Sequence, residues 1–448
     1  MLSRFASDYG MLLVLLLLCA LCSWVTWAEQ HPTGAAAGEG LAADVVERFG
    51  SSARVIVVAR ASQEDAAFAD ALRAGLASSG VTVLATVKGD PADARRALQQ
   101  GAQKGDRLDV IACNQATAEW AVFDDLEGEF PQLGQPVVVM PRSYWWPNFL
   151  KPDNLLNVAN QIVVIAILAI GMTMVIITAG IDLSVGSLIA LSACVLALLI
   201  RDVAGAENAG TTGMVLACLG GMAVCGLVGA FSGVMVAVFA IPPFIATLAM
   251  MLVASGLAFI LAEGQSIYQL PAQFIWLGRG TDLLGIPNAV LLMAVLYIVA
   301  HVVMTQTALG RYIYAVGGNP EAARLSGVPV RRVLVFVYTI CGVLAGLGGV
   351  VTASQLKSGL PTYGLMYELY VIAAVVVGGT SLSGGEGKIL GTLIGAFIIA
   401  VIQNGMNLTG VESYTQKVVL GMVILGAVLL DMLKKRGGGL FRRGRSAG

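Results

Sequence analysis

The most informative shortage in this sequence is charge. Only 12% of the 448 residues are Asp, Glu, Lys or Arg, whereas 57% are hydrophobic. A soluble globular domain carries about 25% charged residues. A chain with half that proportion and many long apolar runs is typical of a protein that crosses a lipid bilayer. The net charge of −1 gives no strongly basic field, so we expect no nucleic-acid partner.

Residues that bind metals or carry out acid–base chemistry are also scarce. The two histidines, His31 and His301, are far apart in sequence, and the seven cysteines are scattered without metal-binding spacing. Only Cys113 falls outside the apolar stretches, so no disulfide framework is available there. These shortages exclude a metal centre and a histidine-based proton relay.

A phosphate-binding loop is missing as well. The chain contains no G-x-x-x-x-G-K-[ST] pattern, although residues 382–386 (LSGGE) imitate the signature of ATP-binding cassettes. Without that loop we expect no bound cofactor and no ATP hydrolysis by this chain. Because catalytic constellations are absent as well, we expect no catalytic residues and a chain that is not an enzyme. Any ATP and Mg²⁺ would be bound by another chain.

What the sequence has in abundance is apolar stretches. We count ten, which lie near residues 11–28, 157–179, 184–201, 213–240, 243–262, 288–306, 332–354, 367–381, 389–406 and 416–433. A bilayer core ~30 Å thick needs ~20 helical residues, so the stretch 367–381 predicts a broken or half-spanning helix. The fold class is therefore an all-α polytopic membrane protein with about ten transmembrane helices; nine or eleven would also fit.

Basic residues predict the orientation, because cytoplasmic loops are enriched in Lys and Arg. They concentrate in the tail and in the loop 307–332, at Lys434, Lys435, Arg436, Arg442, Arg443 and Arg445 and at Arg311, Arg324, Arg331 and Arg332. Both termini then lie in the cytoplasm, with residues 435–448 as a basic tail. Residues 26–28 also loosely resemble a signal-peptidase site. We favour retention of residues 1–28 as the first transmembrane helix.

Between the first two apolar stretches the composition changes. Residues 29–43 are rich in Gly and Ala and predict a linker. Residues 44–145 predict a small extracytoplasmic α/β domain with a parallel sheet, because short β-branched runs alternate with helical patterns. The predicted strands are 54–59, 81–87, 108–113 and 136–140. The predicted helices are 64–78, a second opened by Asp90 as N-cap and Pro91, and a third at 116–126.

Two polar motifs interrupt the apolar stretches. In residues 180–187 (GIDLSVGS), Asp182 or Ser184 can cap the next helix, and Gly180 permits a sharp reversal. The same carboxylate could instead face a polar cavity. In residues 317–329 (GGNPEAARLSGVP), Asn319 and Pro320 start a helix, Glu321 suits its first turn and Gly327 ends it. That helix is either a docking element for a partner or an ordinary solvated loop.

Glycine pairs spaced four apart predict close helix contacts. They are Gly229 and Gly233, Gly342 and Gly346, and Gly391 and Gly395. In a chain with 54 glycines any single pair could also arise by chance.

Several motifs together carry a family resemblance. Residues 180–187, 317–327 (GGNPEAARLSG), 368–396 (ELYVIAAVVVGGTSLSGGEGKILGTLIGA) and 404–407 (NGMN) resemble the ribose/xylose/galactose-type ABC importer permeases. The resemblance covers roughly 147–434, so residues 146–434 would form the permease domain. Permeases of this kind lack a domain at 44–145, whose pattern looks like one lobe of a periplasmic sugar-binding protein.

The resemblance implies a permease of the bacterial inner membrane that moves a pentose or hexose inward by alternating access. Its implied partners are a cytoplasmic ATP-binding subunit, an extracytoplasmic sugar-binding protein, a second permease copy and membrane lipid. The family's coupling loop matches Gly317, Asn319, Pro320, Glu321, Ala322, Ala323 and Gly327.

Polar residues near the apolar spans are candidates for the translocation pathway, and helix capping or interhelical hydrogen bonding would explain each of them equally well. They are Asp182, Ser184, Glu368, Gln403, Asn404 and Asn407. Two other functions remain open: a permease for another solute (a nucleoside, an autoinducer-like sugar or a branched amino acid), and a polytopic membrane receptor.

Overall fold

The computed structural model describes residues 2–426 and residue 429. The predicted basic tail 435–448 and the end of the stretch 416–433 lie outside the described residues. The chain divides into two compact units. We call Met1–Thr26 with Asn148–Gly448 the membrane unit, and Trp27–Pro147 the α/β unit.

The elements are numbered in chain order. The helices are α1 (Leu2–Val25), α2 (Gly34–Phe49), α3 (Gln63–Ser78), α4 (Pro91–Lys104), α5 (Gln115–Ala118), α6 (Leu126–Glu129), α7 (Pro152–Ile177), α8 (Val185–Leu198), α9 (Thr211–Ala237), α10 (Pro243–Leu261), α11 (Trp276–Arg279), α12 (Asn288–Gln306), α13 (Ala308–Gly318), α14 (Pro320–Leu325), α15 (Val330–Leu356), α16 (Tyr367–Val377) and α17 (Ile389–Leu408). Residues 413–426 are also helical. The strands are β1 (Trp27–Gln30), β2 (Arg54–Ala59), β3 (Thr82–Lys88), β4 (Val110–Cys113), β5 (Val137–Val139) and β6 (Tyr144–Pro147).

The α/β unit is built around a four-stranded parallel sheet in the order β3-β2-β4-β5. Alternate residues of β2 face opposite sides, as a strand requires. Val55 and Val57 pack in a core with α2 and α3, whereas Ile56 and Val58 pack in a second core with α4. The buried Cys113 belongs to that second core, and burial raises the pKa of its thiol to about 12. A thiol with so little thiolate at neutral pH is an inert packing residue.

Local signals located most elements of this unit. The strands β2 to β5 lie within one or two residues of the predicted runs. The Asp90 side chain accepts hydrogen bonds from the backbone N–H groups of Ala92 and Asp93, and Pro91 opens α4. This is the predicted helix start.

Two predictions for this unit were wrong. Residues 29–43 are not a linker, because they contribute β1 and most of α2. Alanine favours helix, and the missing side chain of Gly38 lets α2 approach α3, where a Cβ would lie 2.3 Å from the Phe68 carbonyl oxygen. The helix predicted at 116–126 is only one turn long: Asn114 caps α5 by accepting the Thr117 N–H, and a separate 3-10 turn follows at Ala121–Phe123.

In the membrane unit, seven helices among the described residues are long and apolar enough to span a bilayer. They are α7, α8 with its continuation to Val203, α9, α10, α12, α15 and α17. Two shorter apolar helices, Gly10–Val25 and α16, correspond to further predicted stretches. With only 11 residues, α16 is the broken or half-spanning element that the short stretch 367–381 predicted.

The membrane unit is organised around α7 and α15, which pack against each other. α15 also packs against α8 and α9, while α7 packs in the same way against α16 and α17. Both α8 and α16 begin after irregular backbone, at residues 178–184 and 357–366. Irregular backbone at membrane depth needs protein around it to satisfy its polar groups. α8 and α16 are thus two interrupted helices packed on the central pair, α8 on α15 and α16 on α7.

All three predicted glycine pairs lie at helix–helix contacts. A Cβ on Gly229 of α9 would lie 2.3 Å from the Tyr338 carbonyl oxygen of α15, and one on Gly342 would meet the Cys225 carbonyl oxygen at the same distance. A Cβ on Gly395 of α17 would lie 2.1 Å from the Ala374 carbonyl oxygen of α16. Glycine therefore sets the helix spacing, as small residues do in membrane bundles.

Gly229→Ala should destabilise the membrane unit by about 1–3 kcal/mol, because the new methyl group must push α9 away from α15. Gly256→Ala in α10 is the matched control, since nothing lies within 4 Å of its Cβ position. Thermal unfolding of both variants in detergent micelles measures the difference. Equal unfolding temperatures would show that the α9–α15 spacing is not limited by this contact.

Candidate functional site

The segment after α12 folds as two consecutive short helices. Thr307 begins α13, its hydroxyl accepting the Gly310 N–H at 3.3 Å. Asn319 begins α14, its side chain accepting the Ala322 N–H at 3.0 Å, and Pro320 is the first helical residue. Gly327 follows α14 with a φ of +83°, a conformation that suits glycine. The helix start and stop predicted for this motif are thus both present.

α14 buries one side and exposes the other. Ala323 is buried, whereas Glu321, Ala322, Arg324 and Leu325 are exposed. Arg324 donates to Glu321 at 2.7 Å, but an ion pair this exposed contributes no more than about 1 kcal/mol. Leu325 is 83% exposed although it is apolar. Leu325 was not among the predicted site residues, and its signal in the sequence is a leucine beside charged residues at the end of a short helix.

Gly317 joins this segment to the core of the membrane unit. A Cβ on Gly317 would lie only 1.7 Å from the Ile177 carbonyl oxygen at the end of α7. The same carbonyl accepts the Gly385 N–H at 2.8 Å, so the turn between α16 and α17 meets it too. Nearby, the Tyr314 hydroxyl donates to the Gly387 carbonyl at 2.7 Å. We call the meeting of Ile177, Gly317 and Gly385 the backbone junction.

The 180–187 motif forms the irregular entry to α8. Asp182 is fully buried, and its Oδ1 accepts the Ser184 N–H at 2.9 Å and the Ser184 hydroxyl at 2.6 Å. Ser184 precedes the first residue of α8 but makes no side-chain cap bond. The predicted side-chain cap of α8 is therefore absent, and Asp182, two residues before the N-cap position, instead holds the backbone N–H and the hydroxyl of Ser184.

The glycine of this motif acts differently from the prediction. The left-handed residue is Ala179, with a φ of +61°, and not Gly180. Because Gly180 has no side chain, the Tyr338 hydroxyl can pack against it. A Cβ on Gly180 would lie 2.3 Å from that hydroxyl. Among the described residues, Asp182 Oδ2 and the Tyr338 hydroxyl are buried without a hydrogen-bond partner. This polar cluster is enclosed by α7, α8 and α15 in the described conformation.

Glu368 lies at the same entry but is half-buried. Its Oε2 lies over Gly186 in the first turn of α8. A Cβ added to Gly186 would be only 2.3 Å from this oxygen. The Gly364 carbonyl is 2.6 Å from the same point, so the irregular segment before α16 packs on the start of α8. A carboxylate near a helix N-terminus is favourable because of the helix dipole. The structure thus brings Asp182, Ser184 and Glu368 to one place, the beginning of α8.

The remaining candidates lie near the C-terminal end of α17. Asn404 is buried and exchanges amide hydrogen bonds of 3.0 and 2.8 Å with Asn154 in the first turn of α7. Asn407 is exposed and accepts from Gln416 at 2.8 Å, and Gln403 is half-buried. The six pathway candidates therefore form two groups rather than one. Across the described part of the chain, no three His, Cys, Asp or Glu residues are placed to hold a metal ion.

Comparison with known proteins identifies the family of this chain. Residues 154–428 match the family described as branched-chain amino acid transport system / permease component. The chain belongs to this permease family. Among curated proteins, it is 45% identical over 293 residues to the ribose import permease protein RbsC of Escherichia coli, covering 64% of this chain and 88% of that protein. No solved structure matches it.

Two further relatives carry other names. The D-allose transport system permease protein AlsC of Escherichia coli is 36% identical over 327 residues, covering 73% of this chain and 98% of that protein. The L-arabinose ABC transporter permease protein AraH of Azospirillum brasilense is 36% identical over 289 residues, covering 64% and 83%. The permease is therefore a multi-pass inner-membrane protein and a transport component rather than an enzyme. The family match begins after the α/β unit.

Gly317→Ala should disrupt the backbone junction of the permease, because the methyl group would overlap the Ile177 carbonyl. We expect a loss of about 1–3 kcal/mol in stability together with reduced uptake in proteoliposomes. The neighbouring Gly318→Ala is the control, since nothing lies within 4 Å of its Cβ position. A Gly317→Ala protein as stable and active as Gly318→Ala would contradict the described packing.

Proposed function

We propose that the permease is the transmembrane subunit of an ATP-binding-cassette importer that moves a monosaccharide, a pentose or hexose, into the cell. The observation that supports this most directly is the 45% identity to a ribose import permease over 88% of its length. Relatives named for allose and arabinose transport point to the same substrate class. The family description names branched-chain amino acids, so another small solute is the alternative.

ATP and Mg²⁺, in this proposal, are bound and hydrolysed by a separate cytoplasmic subunit that docks on α14. A docking element needs an exposed anchor on a rigid base. Leu325 supplies the anchor, with Ala322 beside it, while buried Ala323 and the Asn319 cap fix the helix. Movement imposed on α14 would reach α7 and the α16–α17 turn through the backbone junction.

The proposed topology has ten crossings with both termini in the cytoplasm. The other three crossings would be α1, the helical residues 413–426, and α16 together with the irregular segment 357–366 before it, because α16 alone is too short to cross. Arg311, Arg331 and Arg332 place the α13–α14 segment in the cytoplasm by the positive-inside rule. Two copies of the permease would enclose the pathway, as the resemblance to ABC importer permeases implies.

Substrate would pass beside the interrupted helices α8 and α16. Discontinuous helices commonly mark substrate sites in membrane transporters, because their interruptions supply polar groups near the bilayer centre. Glu368 is the most accessible member of the group at the start of α8. Asp182 and Ser184 lie behind it and hold the irregular backbone. Gln403, Asn404 and Asn407 would border the pathway nearer the outer side.

The α/β unit would lie outside the cytoplasm between the first two crossings. It has two cores of its own, one on each side of its sheet. We propose that it recruits or gates the extracytoplasmic sugar-binding protein. Deletion of residues 44–145 should then weaken stimulation by that protein. A vestigial domain would leave stimulation unchanged.

The proposed function is tested by ATP hydrolysis in proteoliposomes that contain the permease, its cognate ATP-binding subunit and its binding protein. A panel of pentoses and hexoses, with leucine and a nucleoside beside them, identifies the solute. Stimulation by one sugar supports the proposal. Stimulation by leucine or the nucleoside alone would assign the permease to the alternative solute class.

Leu325→Asp should weaken binding of the ATP-binding subunit about tenfold or more, because it places a carboxylate at the centre of the proposed contact. Glu321→Lys should act in the same direction. Glu412→Lys, an exposed carboxylate after α17, is the control. Co-purification and sugar-stimulated ATP hydrolysis measure both effects. If Leu325→Asp binds the subunit as well as Glu412→Lys does, α14 is not the docking element.

A further inference from the structure

An exposed aromatic ribbon connects the two units of the chain. Strands β1 and β6 pair antiparallel, with Trp27 opposite Pro147 and Gln30 opposite Tyr144. Trp27, Tyr144, Trp145 and Trp146 are between 45% and 60% exposed. An aromatic side chain can bury 150–250 Å², so together these four expose on the order of 400 Å². Because neighbouring strand residues point to opposite faces, Trp27 and Trp145 lie on one face of the ribbon and Tyr144 and Trp146 on the other, so both faces expose aromatic area.

The aromatic side chains of the ribbon lie outside both cores of the α/β unit, although Gln30 and Pro147 are buried. None of its eight residues belongs to either of the two cores described for that unit. An isolated two-stranded ribbon is at best marginally stable in water. Its one charged residue is Glu29, whose carboxylate accepts a hydrogen bond from Ser143. The ribbon therefore needs a partner that accepts aromatic rings and does not require charge.

Chain continuity indicates where that partner is. Trp27 follows α1 by two residues, and Pro147 precedes α7 by five. On the side of the membrane unit, the Thr26 carbonyl accepts the Asn148 N–H at 2.9 Å, and the Thr26 hydroxyl accepts the Phe149 N–H at 3.1 Å. The two chain passages are thus held together at the ends of two membrane helices. The ribbon therefore starts directly beside the adjacent ends of α1 and α7.

The ribbon is about twice as long as one headgroup layer is thick, so its end next to α1 and α7 would enter that layer first. Four residues of strand extend about 13 Å, whereas each headgroup layer is roughly 5–8 Å thick. The rings of Trp27 and Trp146, which lie nearest the membrane unit, would reach this layer first. Tryptophan and tyrosine favour this layer, because their rings are apolar and their N–H or O–H groups remain hydrated.

We propose that the β1–β6 ribbon lies in the headgroup layer of the leaflet where α1 ends, and anchors the α/β unit to the membrane surface through Trp27, Trp145 and Trp146. The proposed topology makes this the outer leaflet, and the anchor itself requires only that α1 and α7 cross the bilayer. The partner is the phospholipid surface. A soluble binding protein seated on the same rings is the competing occupant that the experiment must distinguish.

Tryptophan fluorescence in nanodiscs tests the anchor on the full-length chain. The chain has six tryptophans, so replacing five with Phe leaves a single reporter. The Trp145-only and Trp146-only proteins report on the ribbon. The Trp24-only protein is the positive control, because Trp24 is exposed near the end of α1. The Trp120-only protein is the negative control, because Trp120 stacks on Phe123 in the α/β unit.

Lipids brominated at the shallow end of the acyl chain should quench Trp145 and Trp146 as they quench Trp24, and leave Trp120 unaffected. Two ribbon reporters, each checked by thermal unfolding, keep the test valid if one variant does not fold. Ribbon emission that resembles Trp120 while Trp24 is quenched would overturn the proposal. A ribbon that responds only to added binding protein would overturn it in favour of a protein interface. Neither result depends on transport activity, so a failed anchor is distinguishable from a failed importer.

Discussion

The backbone junction at the Ile177 carbonyl is the contact on which the proposed mechanism depends. This carbonyl ends α7, accepts the Gly385 N–H and lies against Gly317, so three chain segments meet without any intervening side chain. Because glycine lacks a Cβ, the segments approach at backbone distance and have no flexible side chain between them to absorb movement. The segment that carries α14 is consequently in direct backbone contact with the end of α7, and in the proposed mechanism its displacement would reach that helix.

In the proposed mechanism, a displacement of α14 would act on the interrupted helices α8 and α16. The start of α8 is held by Asp182 and Ser184, and the segment before α16 packs on it through Gly364 and Glu368. Two packed interruptions can shift relative to each other more readily than two continuous helices, because fewer intrahelical hydrogen bonds must break. A rearrangement transmitted from the backbone junction would therefore change access to Glu368 before it disturbed the long helices.

Structural features that depend on neighbouring residues could be predicted from the sequence, whereas features that depend on contacts between distant residues could not. The Asp90 and Asn319 caps and the short α16 were predictable, because each requires only a few adjacent residues. Residues 29–43 looked like a linker because the fit of Gly38 against Phe68 is a tertiary contact. The candidate polar residues could be named, but their separation into two groups depends on contacts such as Asn154 with Asn404, 250 residues apart.

Photo-cross-linking at Leu325 tests most directly whether α14 couples the permease to an ATP-binding subunit. A photoactivatable amino acid would replace Leu325 in cells that also produce the cognate subunit, and the same substitution at Leu284, which is likewise exposed, serves as the control. The account predicts a cross-linked product with the ATP-binding subunit from position 325 and none from position 284. Cross-links from position 325 to lipid or to the binding protein alone would contradict it.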